Sequence, residues 1–135
     1  MQKRTSLILS TFILAFLTLG AMQAQAIIII CQPVGITLGQ TARLTAANTG
    51  NRAIIVSGTF VDSEGNVLSR FNQQVIQPGK MMSFDLNGDN IVREGNRLQI
   101  RIDLSADSSR GLVSSAEVFE NDTGKTTVFI WNPGD

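Results

Sequence analysis

Apolar and polar side chains alternate along most of the chain after residue 26, and short polar or glycine-containing segments interrupt the alternation. In residues 98–104, for example, every second side chain is leucine or isoleucine. A period of two places apolar side chains on one face of a β-strand, whereas an amphipathic helix has a period of about 3.6 residues. The pattern predicts seven strands, and residues 27–31 form a possible eighth at an edge. The seven are residues 40–48, 53–61, 67–76, 81–86, 98–104, 112–119 and 126–131.

The segments between the predicted strands have the composition of tight turns. In residues 77–80, Pro78 presets its backbone angle and Gly79 accepts a positive one. Short strands separated by such turns are typical of a β-sandwich or β-barrel. Residues 54–56 are all apolar, which predicts that the strand around them is central and covered on both faces. The sequence therefore predicts an all-β fold.

The first 26 residues have the pattern of a secretory signal peptide. Lys3 and Arg4 precede an apolar stretch over residues 7–19, and Ala24 and Ala26 supply small side chains at a cleavage site. This stretch is shorter than the roughly 20 residues of a membrane-spanning helix, so an uncleaved anchor is the less favoured alternative. The expected organisation is a signal peptide over residues 1–26 and one β-domain over residues 27–135. The expected location is the periplasm or the extracellular space.

Composition excludes several classes of function. The chain has 135 residues, the length of one domain, with one cysteine and no histidine. It therefore cannot contain a Ser–His or Cys–His nucleophile, a histidine metal site or an intramolecular disulfide. Removal of the signal peptide takes two of the 11 basic side chains and leaves nine against 11 acidic ones, a net charge of −2. A nucleic-acid-binding domain would instead show a basic excess, so no nucleic-acid partner is expected.

Carboxylates are the remaining candidates for acid–base chemistry. All fall in predicted turns or on outward strand faces, where solvent keeps the pKa of a carboxylate ordinary. We therefore expect a protein that is not an enzyme and has no cofactor. The pairs considered are Asp62 with Glu64, Asp103 with Asp107, and Glu117 with Glu120.

Residues 85–96 partly match a calcium-binding loop. Asp85, Asn87 and Asp89 have the spacing of its first three oxygen ligands. The glycine expected at the sixth position is Asn90, however, and the glutamate expected at the twelfth is Asn96. A polar connection between strands is the favoured interpretation, with calcium binding as an alternative.

Two segments resemble a known class of exported bacterial domains. Residues 38–50, LGQTARLTAANTG, and the turn IQPGK at residues 76–80 are similar to the opening strand and the later turn of bacterial immunoglobulin-like or fibronectin-III-like domains, including the CARDB-type cell-adhesion-related modules. The resemblance covers about residues 38–86. It implies a seven- to eight-stranded, immunoglobulin-like antiparallel β-sandwich with a non-catalytic role in adhesion.

The last predicted hairpin is apolar on both faces. With a loop of two or four residues, one face carries Ala116, Val118, Thr127, Phe129 and Trp131, and the other carries Glu117, Phe119, Val128 and Ile130. A three-residue loop would shift the pairing by one residue, so the side chains of residues 126–131 would exchange faces. One face packs on the core, and the other requires either a cover from the mature N-terminus or a partner. The candidate interaction residues are Phe119, Val128, Ile130, Ile27, Ile28, Ile29 and Ile30.

These observations lead to one expected function and two alternatives. The expected function is contact with a protein or a cell-surface component through an apolar sheet face or an edge strand. The first alternative is a carbohydrate-binding module that uses Phe119, Phe129 or Trp131. The second is a pilin-like or periplasmic chaperone-like subunit that exchanges a strand, because residues 27–30 are strongly β-prone and uncharged.

Overall fold

The computed structural model describes residues 26–31 and 33–132, so the expected signal peptide lies almost entirely outside the described residues. The described chain is an all-β sandwich, as predicted. It has nine strands and a short 3₁₀ turn, Gly88–Asn90. The strands are β1 Ile27–Ile30, β2 Val34–Thr37, β3 Gln40–Asn48, β4 Ile54–Asp62, β5 Val67–Ile76, β6 Met81–Asn87, β7 Arg97–Ala106, β8 Leu112–Glu120 and β9 Thr126–Asn132.

The strands form two antiparallel sheets. The first sheet has the order β1-β7-β4-β5, and β2 pairs with the same side of β7 as β1 does. The second sheet has the order β6-β3-β8-β9. All seven strands predicted from the alternation are present, and the N-terminal segment adds two rather than one. It does so because β1 pairs with residues 103–106 of β7 and β2 with residues 97–100, on either side of a short interruption.

The core lies between the two sheets and is built from alternate side chains of both. In β7, Ile100, Ile102 and Leu104 are buried, and the intervening side chains face solvent. The prediction that β4 is covered on both faces was wrong. Ile54 and Val56 are buried, but Ile55 is 40% exposed beside Val75 on the outer face of the first sheet. β4 is central in its sheet, yet nothing among the described residues covers that outer face at Ile55.

One end of the sandwich is held together by a buried asparagine. The side-chain amide of Asn48 donates to the carbonyl oxygens of Arg52 and Ile76, at 2.6 and 2.9 Å, and its oxygen accepts the Gly50 N–H at 2.9 Å. Nearby, Gly111 has a φ of 77°, and a Cβ at this position would lie 2.5 Å from the Gly50 nitrogen. Glycine is required there because of both its backbone angle and the close approach of the two loops.

Within the two described ranges, no helix is long and apolar enough to cross a membrane.

Candidate functional site

The register of the last hairpin decides which of its side chains reach solvent. Phe119 pairs with Thr126, as a four-residue loop predicts, but Val118 pairs with Val128, so Thr127 is an extra, bulged residue. The bulge reverses the faces of β9 beyond it, because a shift of one residue turns every following side chain over. The Thr127 hydroxyl donates to the Val118 carbonyl oxygen at 3.1 Å.

As a result, Val128 and Ile130 point inward and pack against the core. The assignment of these two residues to an outer face with Phe119, which a loop of two or four residues implied, is therefore corrected. The outer face of β9 instead carries Phe129 and Trp131, which are 62% and 64% exposed. The register of a three-residue loop, the alternative considered in the sequence, had placed Phe129 and Trp131 on the same face as Glu117 and Phe119. We call Phe119, Phe129 and Trp131 on the outside of the second sheet the aromatic face.

Strand pairing places polar side chains in line with the two exposed rings. Phe129 lies opposite Glu117, and Trp131 lies opposite Ser115. The pairs between β8, β3 and β6 extend these two lines across the sheet. The line of Phe129 contains Glu117, Arg43 and Asp85, and the line of Trp131 contains Ser115, Thr45 and Ser83.

Arg43 fixes the polar side of the aromatic face. Its Nε and one terminal nitrogen donate to the two carboxylate oxygens of Asp85, both at 2.7 Å, and a second terminal nitrogen lies 3.9 Å from Glu117. The guanidinium carbon is 4.8 Å from the centre of the Phe119 ring, a cation–π distance. The hydrogen bond to Asp85 raises the pKa of Arg43, a side chain that is charged in proteins in any case. A planar guanidinium held by a bidentate pair is pre-organised.

The N-terminal strand β1 does not cover this face. We expected residues 27–30 to fold back beside or over the last hairpin, and this expectation was wrong. β1 belongs to the first sheet, where Ile27 pairs with Ala106 and Ile30 with Asp103. Ile29 packs against the core, whereas Ile28 is 67% exposed on the opposite side of the sandwich from the aromatic face. The seven candidate residues are therefore divided between two sheets.

The oxygens of the calcium-like loop are occupied by donors from the protein. Asp85 is paired with Arg43 on the sheet surface. Asp89 accepts the Gly39 N–H at 2.6 Å and the Asn121 amide at 2.7 Å, and Asn87 caps the 3₁₀ turn by accepting the Asp89 N–H. Among residues 26–31 and 33–132, no group of three or more His, Cys, Asp or Glu side chains is arranged to hold a metal ion.

The other carboxylates considered in the sequence serve the backbone or neighbouring charges. Asp62 holds the β4–β5 turn, and its side-chain hydrogen bond with Asn66 is the main cause of its lowered pKa. Asp103 forms a bidentate pair with Arg101, with both distances 2.8 Å. Asp107 accepts the Ile55 N–H at 2.9 Å. Each of these groups has a structural partner.

The outer face of the first sheet contains an open depression of about 550 Å³. Its polar side chains include Arg70, Arg101 and Asp103, and the last two neutralise each other. The depression is shallow strand surface rather than a closed pocket, and its charges are largely paired. We regard it as weaker than the aromatic face as a binding site.

Comparison of the chain with protein-family models, with curated proteins and with solved structures gives no match in any of the three.

Proposed function

We propose that the chain is an exported, non-catalytic, immunoglobulin-like module that binds a protein partner, in solution or at a cell surface, through the aromatic face. The observation that carries this proposal is the exposure of Phe129 and Trp131, about two-thirds each, on neighbouring outward positions of one strand. Successive outward positions on a strand are about 7 Å apart, so the two rings form one continuous apolar surface. Exposed apolar patches with a polar border commonly mark protein-binding sites.

The surroundings of the two rings also support a protein partner. Tryptophan, phenylalanine and arginine are enriched at the centres of protein interfaces, where rigid side chains lose little entropy on binding. Arg43 is already held by Asp85, so binding does not have to order it. The carboxylates and hydroxyls beside the rings can form the polar rim of such an interface.

The proposal predicts that partner binding depends on Phe129 and Trp131. The purified protein is immobilised, and proteins captured from a cell-envelope extract are compared between the wild type and the variants Phe129→Ser and Trp131→Ser. A residue at the centre of an interface contributes about 2 kcal/mol or more, so each variant should weaken capture about 30-fold.

The matched control is Met81→Ser, which removes a 68%-exposed apolar side chain from the opposite edge of the same sheet. This variant should capture the partner as well as the wild type does. Equal capture by all four proteins, with unchanged thermal unfolding, would contradict the proposal.

Carbohydrate binding is the second candidate, and one observation favours it. Trp131 lies in line with three hydroxyl side chains, those of Ser115, Thr45 and Ser83. An aromatic ring beside hydroxyl groups can stack against the apolar face of a sugar while hydrogen bonds reach its edge. Titration with soluble polysaccharides should then change the fluorescence of Trp131, the single tryptophan of the chain. Unchanged emission across a polysaccharide panel would count against this candidate.

A further inference from the structure

The loops at the two ends of the sandwich carry opposite charge. Strands β3, β5 and β7 end where β4, β6 and β8 begin, and the three loops at this end carry three basic side chains and one carboxylate. We call it the basic end, and its loops are residues 49–53, 77–80 and 107–111. The loops at the other end carry four carboxylates and two basic side chains, in residues 38–39, 63–66, 88–96 and 121–125.

A cleft of about 500 Å³ opens at the basic end and is lined by residues 50–54, 107, 108 and 110. It is more enclosed than the depression on the outer face of the first sheet, and its volume falls in the range of small-molecule sites. Its charged side chains are those of Arg52, Arg110 and Asp107, so the lining carries a net positive charge.

The two arginines of the cleft differ from those on the sheets that are held by carboxylates. Arg43 and Arg101 each form a bidentate pair with an aspartate. Within the described part of the chain, the guanidinium groups of Arg52 and Arg110 form no ion pair or hydrogen bond. Both side chains are exposed, so their N–H donors remain available to a ligand.

Hydrogen bonds fix the backbone that carries these two arginines. The Arg52 carbonyl oxygen accepts the buried side-chain amide of Asn48 at 2.6 Å. The backbone N–H and the hydroxyl of Thr49 both donate to the Gly111 carbonyl oxygen, at 2.7 and 3.0 Å, and thereby join the two loops. The Arg110 N–H donates to the Ser108 hydroxyl at 3.2 Å, which leaves the proton of that hydroxyl free to donate into the cleft. The walls of the cleft are therefore pre-organised.

We propose that this cleft binds a tetrahedral oxyanion, the phosphate or sulfate group of a small ligand. Guanidinium groups recognise oxyanions through paired N–H donors. The two oxygens of a carboxylate are satisfied by one guanidinium, whereas a tetrahedral anion has oxygens for two guanidiniums that come from different loops. The cleft is larger than a single oxyanion requires, so we expect the anion to be an ester group of a larger molecule.

An NMR titration of the ¹⁵N-labelled protein with inorganic phosphate tests the site. Sodium chloride keeps the ionic strength constant, so that screening of the charges does not change during the titration. The amide signals of residues 50–53 and 107–111 should shift together, with a dissociation constant on the order of 1 mM. Arg52→Gln and Arg110→Gln should each weaken binding about tenfold or more, because each variant removes a charge-assisted contact.

Two further variants separate the cleft from the general charge of the protein. Arg93→Gln removes an exposed arginine from a loop at the other end and should bind phosphate as the wild type does. Asp107→Asn keeps an oxygen that can accept the Ile55 N–H but removes the carboxylate charge, so it should bind phosphate more tightly. The absence of shifts in the cleft up to about 20 mM phosphate, or equal weakening in Arg93→Gln, would overturn the proposal.

The choice of anion tests the shape of the ligand. Sulfate, titrated in the same way, distinguishes the two sources, since the ion that binds more tightly identifies the ester. Acetate should bind at least about tenfold more weakly than either, and equal binding of acetate would rule out a tetrahedral anion. The site does not depend on the proposed protein partner: loss of capture tests the aromatic face, and anion titration without any partner tests the cleft.

Discussion

At the scale of single residues, two buried hydroxyl groups differ in how they are satisfied. The Thr41 hydroxyl donates to the side-chain oxygen of Asn121 at 2.6 Å. The Ser114 hydroxyl makes no hydrogen bond of ordinary geometry among the described residues, and its polar neighbour is the thiol of Cys31, a weak hydrogen-bond partner. Burial raises the pKa of that thiol, and the Ser114 hydroxyl acts in the opposite direction. A buried polar group without a partner costs free energy, whereas a paired one costs little.

Removal of these two hydroxyls should therefore change stability in opposite directions. Ser114→Ala removes a buried hydroxyl whose polar neighbour is only a weakly interacting thiol, and it should raise the free energy of unfolding by about 0.5–1 kcal/mol. Thr41→Val breaks a short hydrogen bond and should lower it by about 1–2 kcal/mol. Urea unfolding followed by circular dichroism measures both. A loss of stability in Ser114→Ala equal to that in Thr41→Val would show that Ser114 has a partner of its own.

At the scale of elements, the alternation in the sequence predicted strands well and local irregularities poorly. β7 was found from its four regularly spaced apolar side chains, because burial of one sheet face imposes this period. β2 was missed, since it has only four residues and one of them is Gly35. The bulge at Thr127 was also missed, because nothing in consecutive threonines marks an extra residue. The bulge depends on packing Val128 and Ile130 into the core, a tertiary effect. Because the bulge could not be predicted, the sequence left two possible faces for Phe129 and Trp131, and the aromatic face was one of them.

The β4–β5 turn shows how one carboxylate can stabilise an element. Asp62 accepts hydrogen bonds from the backbone of Glu64 and Asn66 and from the Asn66 side chain, and these bonds lower its pKa. A lowered pKa in the folded state means that the charged form stabilises the fold. This contribution is present above the pKa of Asp62 in the unfolded chain and is lost as pH falls through its pKa in the folded state.

Asn66→Ala should move the pKa of Asp62 up towards its ordinary value, because the largest contribution to the shift is removed. Carboxyl ¹³C chemical shifts followed through an acid titration measure this pKa directly. The wild type should be more stable than the variant near neutral pH, and the difference should shrink at acidic pH. The control is Asn72→Ala, since Asn72 is exposed on β5 away from the turn. A titration of Asp62 that is identical in the wild type and Asn66→Ala would contradict this account.

At the scale of the whole molecule, the two sheets are joined along one side by a pair of stacked rings. Phe71 of β5 and Phe84 of β6 lie nearly parallel, with ring centres 3.7 Å apart. The Phe71 ring also lies on Gly58 of β4, where a Cβ would come within 2.5 Å of the ring and 2.6 Å of the Asp103 carbonyl oxygen. Gly58 thus makes room for the ring that links the sheets.

Gly58→Ala should therefore lower the free energy of unfolding by about 1–3 kcal/mol, because the new methyl group displaces Phe71. In a Phe71→Ala background the same substitution should cost clearly less, since the ring is no longer there to displace. Urea unfolding of the two single variants and the double variant completes the cycle. If the losses of stability in the two single variants add up to the loss in the double variant, displacement of the Phe71 ring is not the cause. The contact of the new methyl group with the Asp103 carbonyl oxygen of β7 would then account for the loss in Gly58→Ala.

The pairing of β1 and β2 with β7 has a consequence for the order in which the chain can fold. Among the described residues, β1 and β2 have their strand partner in residues 97–106 of β7, so their pairing must wait until that later strand has been made. Folding rates fall as contacting residues become more distant along the chain. β1 and β2 therefore remain without their strand partner until β7 has been made, and the first sheet is completed late in folding.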